Sequence, residues 1–329
     1  MPLPIFDMHC DLLSYLDKFP EASPYDASEY LPCAVPYLKK GNVKTQVCAI
    51  YTGVSPESMN SALNQAKIFS ELPSKYPNDL IHLVQNLDNW PSLEKVSLIA
   101  SIENAAGLGN EKASFSEIEK QFQKIRSLTG QLAYISLTHH TENRFGGGNY
   151  TSGIGLKEDG KRLLDLMDGL KIPVDLSHTS DELAGGILNH ITQKGLEIPV
   201  IASHSNFRSI WSHPRNISDE FAKELIHREG LLGVNFLRAF LDNEVPERLY
   251  EHILHGFSIG GEKAICFGAD FFYTRDFPDP KRFPFYFPLA ENASKYPSIL
   301  DHLNQRLTKE KLKGLAYQNS LNFYQKLWS

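Results

Sequence analysis

The chain has 329 residues, 42% hydrophobic and 22% charged, which is globular composition with material for a large core. A net charge of −6 without any Lys/Arg block argues against nucleic acid as a partner. No apolar run reaches the roughly 18 residues of a membrane span, the N-terminus has no leader-like region, and four scattered cysteines form no CxxC pair, so a cytoplasmic, reducing setting without a membrane is expected.

The first apolar run, 4–9, reads as a strand ending in His9-Cys10-Asp11. Side chains two apart share one face of a strand, so His9 and Asp11 are expected to point the same way as nitrogen and oxygen ligands. A Pro- and Tyr-rich stretch from Pro20 to Pro36 has few helical signals. Val43 to Tyr51 is the second strand, and Ser55-Pro56-Glu57 opens a helix to about Leu72. After a polar segment with Trp90, Val96 to Ile102 is the third strand and delivers Glu103. A helix from Phe115 to Leu128 follows, with Ser114 as its cap and Gly130 beyond its end. Leu132 to Leu137 is the fourth strand, delivering His139 and His140. A Gly-rich loop, 143–155, and a helix over 157–170 come next.

Ile172 to Leu176 is the fifth strand and delivers His178; a helix over 180–192 follows. Ile198 to Ala202 is the sixth and delivers His204. Ser218-Asp219-Glu220 caps the next helix. Leu231 to Phe236 is the seventh strand, followed by a helix over 246–258; Ala264 to Gly268 is the eighth and delivers Asp270. An aromatic, Pro-rich loop, Phe277 to Pro288, precedes two helices over 298–306 and 308–326. Eight apolar runs, most separated by amphipathic helices, predict an α/β protein with a parallel sheet. That number favours a closed (β/α)8 barrel of TIM type, one domain over 1–329 with extra C-terminal helices, above an open doubly wound sheet. No GxGxxG follows the first strand, which argues against dinucleotide binding.

Barrel active sites lie at the C-terminal strand ends. There the sequence puts His9, Asp11, Glu103, His139, His178, His204 and Asp270. Four histidines and three carboxylates exceed the three protein ligands usual for one catalytic zinc and suit two metals, with Glu103 able to bridge. His9 and Asp11 would hold one ion, and His178 and His204 the other. A hydroxide held there is a nucleophile near neutral pH, and Asp270 could move its proton. Blander roles stay open for each residue. His178 and His204 could bond backbone carbonyls, and Glu103 and Asp270 could cap. Of the adjacent His139 and His140, one is expected at the mouth and the other on the surface.

Eight segments in order, DMHCDLL, SIENAAG, YISLTHH, VDLSHTS, IASHSN, HPRN, GVNF and GADF, resemble the renal (membrane) dipeptidase family, peptidase family M19. The resemblance implies a barrel with two zinc ions that hydrolyses dipeptides, including those with a D-residue second, to free amino acids. Transferred by motif, His9 and Asp11 bind the first zinc, Glu103 bridges, and His178 and His204 bind the second. His139 contacts the scissile group and its oxyanion, Arg215 clamps the substrate's C-terminal carboxylate, and Asp270 is the general acid/base. Homodimers are usual in the family. The mammalian members are secreted and lipid-anchored, whereas this chain is expected to be a bacterial, cytoplasmic form.

The chain also departs from the family pattern. Cys10 replaces the usual Asn, Phe271-Phe272-Tyr273 follow Asp270, and Thr141 to Gly148 replace the usual loop, where Arg144 could add positive charge at the mouth. The 143–155 and 277–288 loops are expected to form walls or a lid. The alternatives are a barrel metallohydrolase acting on a lactone, cyclic amide or phosphoester, and a non-catalytic metal-containing binding barrel.

Overall fold

The computed structural model describes residues 2–28, 30–83, 90, 93–277 and 279–329. Most of the polar segment around Trp90, and Pro278 of the loop after the last strand, lie outside the described residues. The strands are β1 (Ile5–Cys10), β2 (Val43–Tyr51), β3 (Leu80–His82), β4 (Val96–Glu103), β5 (Leu132–Ser136), β6 (Val174–Asp175), β7 (Val200–Ile201), β8 (Leu232–Val234) and β9 (Ile265–Phe267). All are parallel, in the order β7-β6-β5-β4-β2-β1-β9-β8. An isolated bridge from Ala202 to Leu232 joins the two ends, so eight strands form a nearly closed TIM-type barrel with helices around it.

β3 is a short strand beside β4, outside the barrel path. Its three residues carry too little alternation to be read from sequence. Two helices, Leu12–Lys18 and Val35–Lys40, also stand where no helix was expected. The second has Pro at its start, a position where the missing N–H costs nothing. The helix expected over 308–326 is three pieces, Lys309–Lys313, a π-helical Gly314–Gln318 and Asn319–Trp328. Among the described residues no helix is long and apolar enough to cross a membrane.

Every residue of β1 and β4 is buried, because the barrel interior covers one face and helices the other. Period two then sorts the side chains. In β4, Leu98, Ala100 and Ile102 join the core under the helices, whereas Ile99 joins the barrel interior with Phe6, Met8, Val47 and Ile201. Tyr324 from the last helix and Trp90 stack on Phe6, with ring centroids 5.7 and 5.9 Å away. Each such fully buried aromatic contributes about 2–3 kcal/mol. This plug fills one end of the barrel with apolar side chains and leaves the C-terminal strand ends for chemistry.

Candidate metal centre

Glu103 follows Ile99 and Ser101 at period two, so it enters the barrel at its top. The next residue, Asn104, has φ 73° and turns the chain away; its side chain accepts from Ala106 N at 3.1 Å and donates to Thr52 O at 2.8 Å. His178 (φ 68°) and Asp270 (φ 61°) share this sparsely populated backbone region. Three non-glycine residues held so at strand ends mark backbone aimed by its surroundings.

His9 and Asp11 arrive differently from the simple strand alternation. Met8 faces the barrel interior, yet its neighbour His9 also turns inward. A register shift between Asp7 and Cys10 against β2 supplies the extra residue that allows it. Asp11 is not in the strand at all. It occupies the N-cap position of the Leu12–Lys18 helix without a capping bond, and its Oδ2 lies 3.7 Å from His9 Nε2. Buried Asp7 ties this turn together: one carboxylate oxygen accepts from His9 N and Ala269 N, both at 3.1 Å, and the other from the Tyr296 hydroxyl. Burial pushes the Asp7 carboxyl up to about 6, against the lowering effect of those bonds.

Five of the predicted residues converge around Glu103. Its Oε2 lies 3.4 Å from His9 Nε2, while Oε1 lies 3.0 Å from His178 Nε2 and 3.4 Å from His204 Nε2. The two oxygens therefore address two groups of imidazoles. Asp270 Oδ1 is 3.6 Å from His9 Nε2, and His139 Nε2 is 3.9 Å from Glu103 Oε1. The side chains of His9, Asp11, Glu103, His178, His204 and Asp270 are between 0% and 11% exposed.

The donor set fits divalent cations. His9 Nε2 and Asp11 Oδ1 are buried without a hydrogen-bond partner. His9 Nδ1 lies 2.6 Å from the Tyr134 hydroxyl, which itself donates to Met8 O at 3.1 Å, so Nδ1 carries a proton and Nε2 is the nitrogen that would face a cation. His204 follows the same logic. Its Nδ1 is 2.6 Å from Ser203 Oγ, which donates to Asp175 Oδ2 at 2.7 Å, and its Nε2 again faces inward, 2.9 Å from His178 Nε2. Burial holds the imidazoles of His178, His204 and His139 well below the usual histidine range, which keeps them neutral. Burial, reinforced by Asp11, raises Glu103 and pushes Asp270 up to about 7, with His9 opposing in both. Crowded, buried carboxylates of this kind are stabilised by cations among them.

Asp270 Oδ2 accepts from Asn235 Nδ2 at 2.7 Å. Arg215 is 3% exposed; its Nη1 donates to Ser205 Oγ at 3.0 Å and its Nη2 to His204 O at 2.8 Å, and Nε has no partner. It does not line the cavity above the cluster, but its guanidinium carbon lies 5.5 Å from the Phe240 ring, which does. That cavity measures about 630 Å³, and Asp11, Tyr51, Glu103, His139, His178 and Asp270 form its floor.

Two expectations fail here. His140 is no surface residue: it lines the cavity beside His139, with Nδ1 3.0 Å from Asn149 Oδ1 and 3.4 Å from His178 Nδ1. The two neighbours leave the strand frame after Ser136, so period two no longer separates them. Arg144 adds no charge to the mouth, because it is bound to Asp159 at 2.7 and 2.9 Å and to the carbonyls of Asn110 and Ala113. Tyr134, Asp175, Ser203 and Asn235 orient the cluster, but position after an apolar run does not single them out. Tyr134, Asp175 and Asn235 lie in YISLTHH, VDLSHTS and GVNF, and Ser203 immediately precedes His204, so the motifs themselves were the available signal.

A parallel barrel with this donor set at its strand ends defines the class of barrel proteins built to hold metal ions. A model of the membrane dipeptidase family (peptidase family M19) matches residues 2–327, and the chain belongs to that family. It is 27% identical over 280 residues to an uncharacterized dipeptidase of Schizosaccharomyces pombe, covering 82% of this chain and 62% of that protein. It is 28% identical over 253 residues to dipeptidase verJ of Clonostachys rogersoniana, covering 74% of this chain and 59% of that one. These alignments span about three fifths of the length of the curated relatives. A metallopeptidase from Rhodobacter sphaeroides, solved with a phosphinate mimic of L-Ala-D-Ala, superimposes with a TM-score of 0.83 over all of both chains at 19% identity. A dipeptidase of family M19 superimposes with a TM-score of 0.82 at 19% identity, covering 100% of this chain and 99% of the other. At that identity the likeness establishes the fold.

Proposed function

We propose that this protein is a zinc-dependent dipeptidase. The observation that carries the reading is the division of Glu103, one oxygen toward His9 and the other toward His178 and His204. His9 and Asp11 would hold one zinc ion and His178 and His204 a second, with Glu103 placed to serve both. Two such ions, when bound, supply an activated water and polarise a peptide carbonyl. Asp270, kept near neutrality in its pKa by burial and steadied by Asn235, takes a proton at Oδ1 and delivers it to the departing amine. Neutral His139 offers one N–H to the developing oxyanion.

Arg215, which lies behind the cavity lining beside Phe240, would receive the C-terminal carboxylate once the side chains between it and the cavity shift. It is a buried cation without a carboxylate partner among the described residues, and a guanidinium binds a carboxylate bidentately. Tyr150 on one side and Phe277 and Phe285 on the other line the cavity, so the loops that carry them act as its walls and exclude longer peptides. The phosphinate mimic of L-Ala-D-Ala in the Rhodobacter protein supports tolerance of a D-residue at the second position.

The test is hydrolysis of L,L and L,D dipeptides by zinc-loaded protein, repeated after chelation and in Asp270→Asn, with metal counted by mass spectrometry. Chelator-sensitive turnover that collapses in the variant is expected. Two bound metals without turnover would transfer the reading to a lactone, cyclic amide or phosphoester, and absence of bound metal would favour a binding barrel.

A further inference from the structure

The walls of the cavity carry a charge pattern that the chemistry on its floor does not use. Lys18, Arg238, Lys281 and Arg282 line it, and among the described residues Asp276 is the one lining acid outside the ligand cluster. Lys18 is paired with Asp276 at 3.0 Å. Among the described residues, Arg238, Lys281 and Arg282 have no carboxylate partner. Arg238 Nη2 reaches only the carbonyls of Lys281 and Arg282, at 3.5 and 3.4 Å, and the Arg282 guanidinium lies over the Phe277 ring at 5.4 Å. Three cations are thus uncompensated at the mouth of a protein whose net charge is −6.

Their proximity is built into the fold. Arg238 opens the short helix Arg238–Leu241 after β8, while Lys281 and Arg282 belong to the turn Pro280–Arg282 after β9. Leu237 pairs with Tyr286, and Arg238 N donates to Phe285 O at 2.8 Å, so the two loops are stitched side by side. Edge-on contacts of Phe285 with Phe272, Phe277 and Phe283, at 5.2, 4.9 and 4.9 Å, brace the turn. The Arg282 charge faces inward: after burial and Arg215, it helps to hold His213 down at about 4.

A dipeptide with neutral side chains is a zwitterion without net charge, and a cationic mouth gains nothing from it overall. One more carboxylate gives the substrate a net negative charge and a planar partner for a guanidinium. We propose that the preferred substrates are dipeptides bearing an aspartyl or glutamyl side chain, received by Arg238 and Arg282. This inference rests on the dipeptidase reading and names the substrate class of that site.

The experiment compares kcat/KM of the zinc-loaded protein for Ala-Glu against Ala-Gln and for Glu-Ala against Gln-Ala. These pairs differ by a charge at nearly constant shape. The acidic member of at least one pair is expected to lead by about tenfold or more, as one charge-assisted contact supplies. The lead should shrink as salt rises from roughly 50 to 500 mM. It should fall to about twofold or less in the double variant Arg238→Gln/Arg282→Gln, whose fold is checked by circular dichroism. A ratio near one in the wild type, or a lead that survives in the folded double variant, overturns the proposal. If no dipeptide is hydrolysed, the dipeptidase reading fails separately. The same pairs then decide by calorimetric binding to the zinc-loaded protein: a tenfold preference for the acidic member supports the acid-binding mouth, and equal or absent binding overturns it.

Discussion

The floor and the mouth of the cavity are built on opposite terms. On the floor His9 and His204 are 0% exposed, and each imidazole is oriented by a hydroxyl, Tyr134 for one and Ser203 for the other. At the mouth the side chains of Lys18 and Asp276 are 56% and 43% exposed, and their neighbours Lys281 and Arg282 are exposed as well. A buried charge must be paired and hydrogen-bonded, so the floor is over-determined by partners on several strands. An exposed cation needs no partner, so the mouth can carry charge for a ligand instead of for the fold. The difference teaches where to look for each property: chemistry in the strand ends, preference in the loops after β8 and β9.

The sharpest way to break this division is at the floor. Asp270→Asn should lower kcat by about 10³-fold, the scale of a lost general acid/base, while metal content stays near wild type. A comparable loss of bound metal would instead make Asp270 a ligand.

A second test concerns the tie between the regions. His252 is fully buried, accepts Phe207 N at Nδ1 (3.1 Å) and donates from Nε2 to Leu241 O (3.1 Å), joining the segment after His204 to the helix that begins at Arg238. Burial lowers its pKa to about 4 from 6.5. The unfolded chain therefore binds the extra proton first: the stabilisation is complete above pH 6.5 and is lost as pH falls toward 4. The loss is about 3 kcal/mol. Urea midpoints should drop less steeply over that window in His252→Asn; an unchanged profile would remove His252 from the account.

Next comes the orientation of a single imidazole. Ser203→Ala removes the hydroxyl between His204 and Asp175, and affinity for a divalent metal ion should fall about 10–100-fold in a chelator competition, with Ser203→Thr restoring part of it. Equal affinity would show that the backbone alone aims His204. The smallest effect belongs to the rim. Lys18→Ala breaks an exposed pair and should change unfolding free energy by about 1 kcal/mol or less. A larger loss would mean that the mouth, too, is structural.

Much of this was legible in the chain. All eight barrel strands were readable as apolar runs, because burial on both faces demands uninterrupted hydrophobic residues. The residues that converge on Glu103 were legible because each follows such a run. Local exceptions were not. β3 is too short to show a period, the Leu12–Lys18 helix has no acidic residue in its first turn and no side-chain cap to announce it, and the inward turn of His9 depends on a bulge defined against β2.

The sequence by itself determined the succession of strands, the polar residues at their ends and the family motifs, since periodicity and composition act over neighbouring residues. Only the tertiary structure decided which oxygen of Glu103 meets which histidine, that Asp7 ties His9 to the segment before Asp270, that Arg144 is consumed by Asp159, and that Arg238 meets Arg282. Each of these joins residues from different strands or loops, and such contacts exist only when the barrel closes and brings its ends to one mouth.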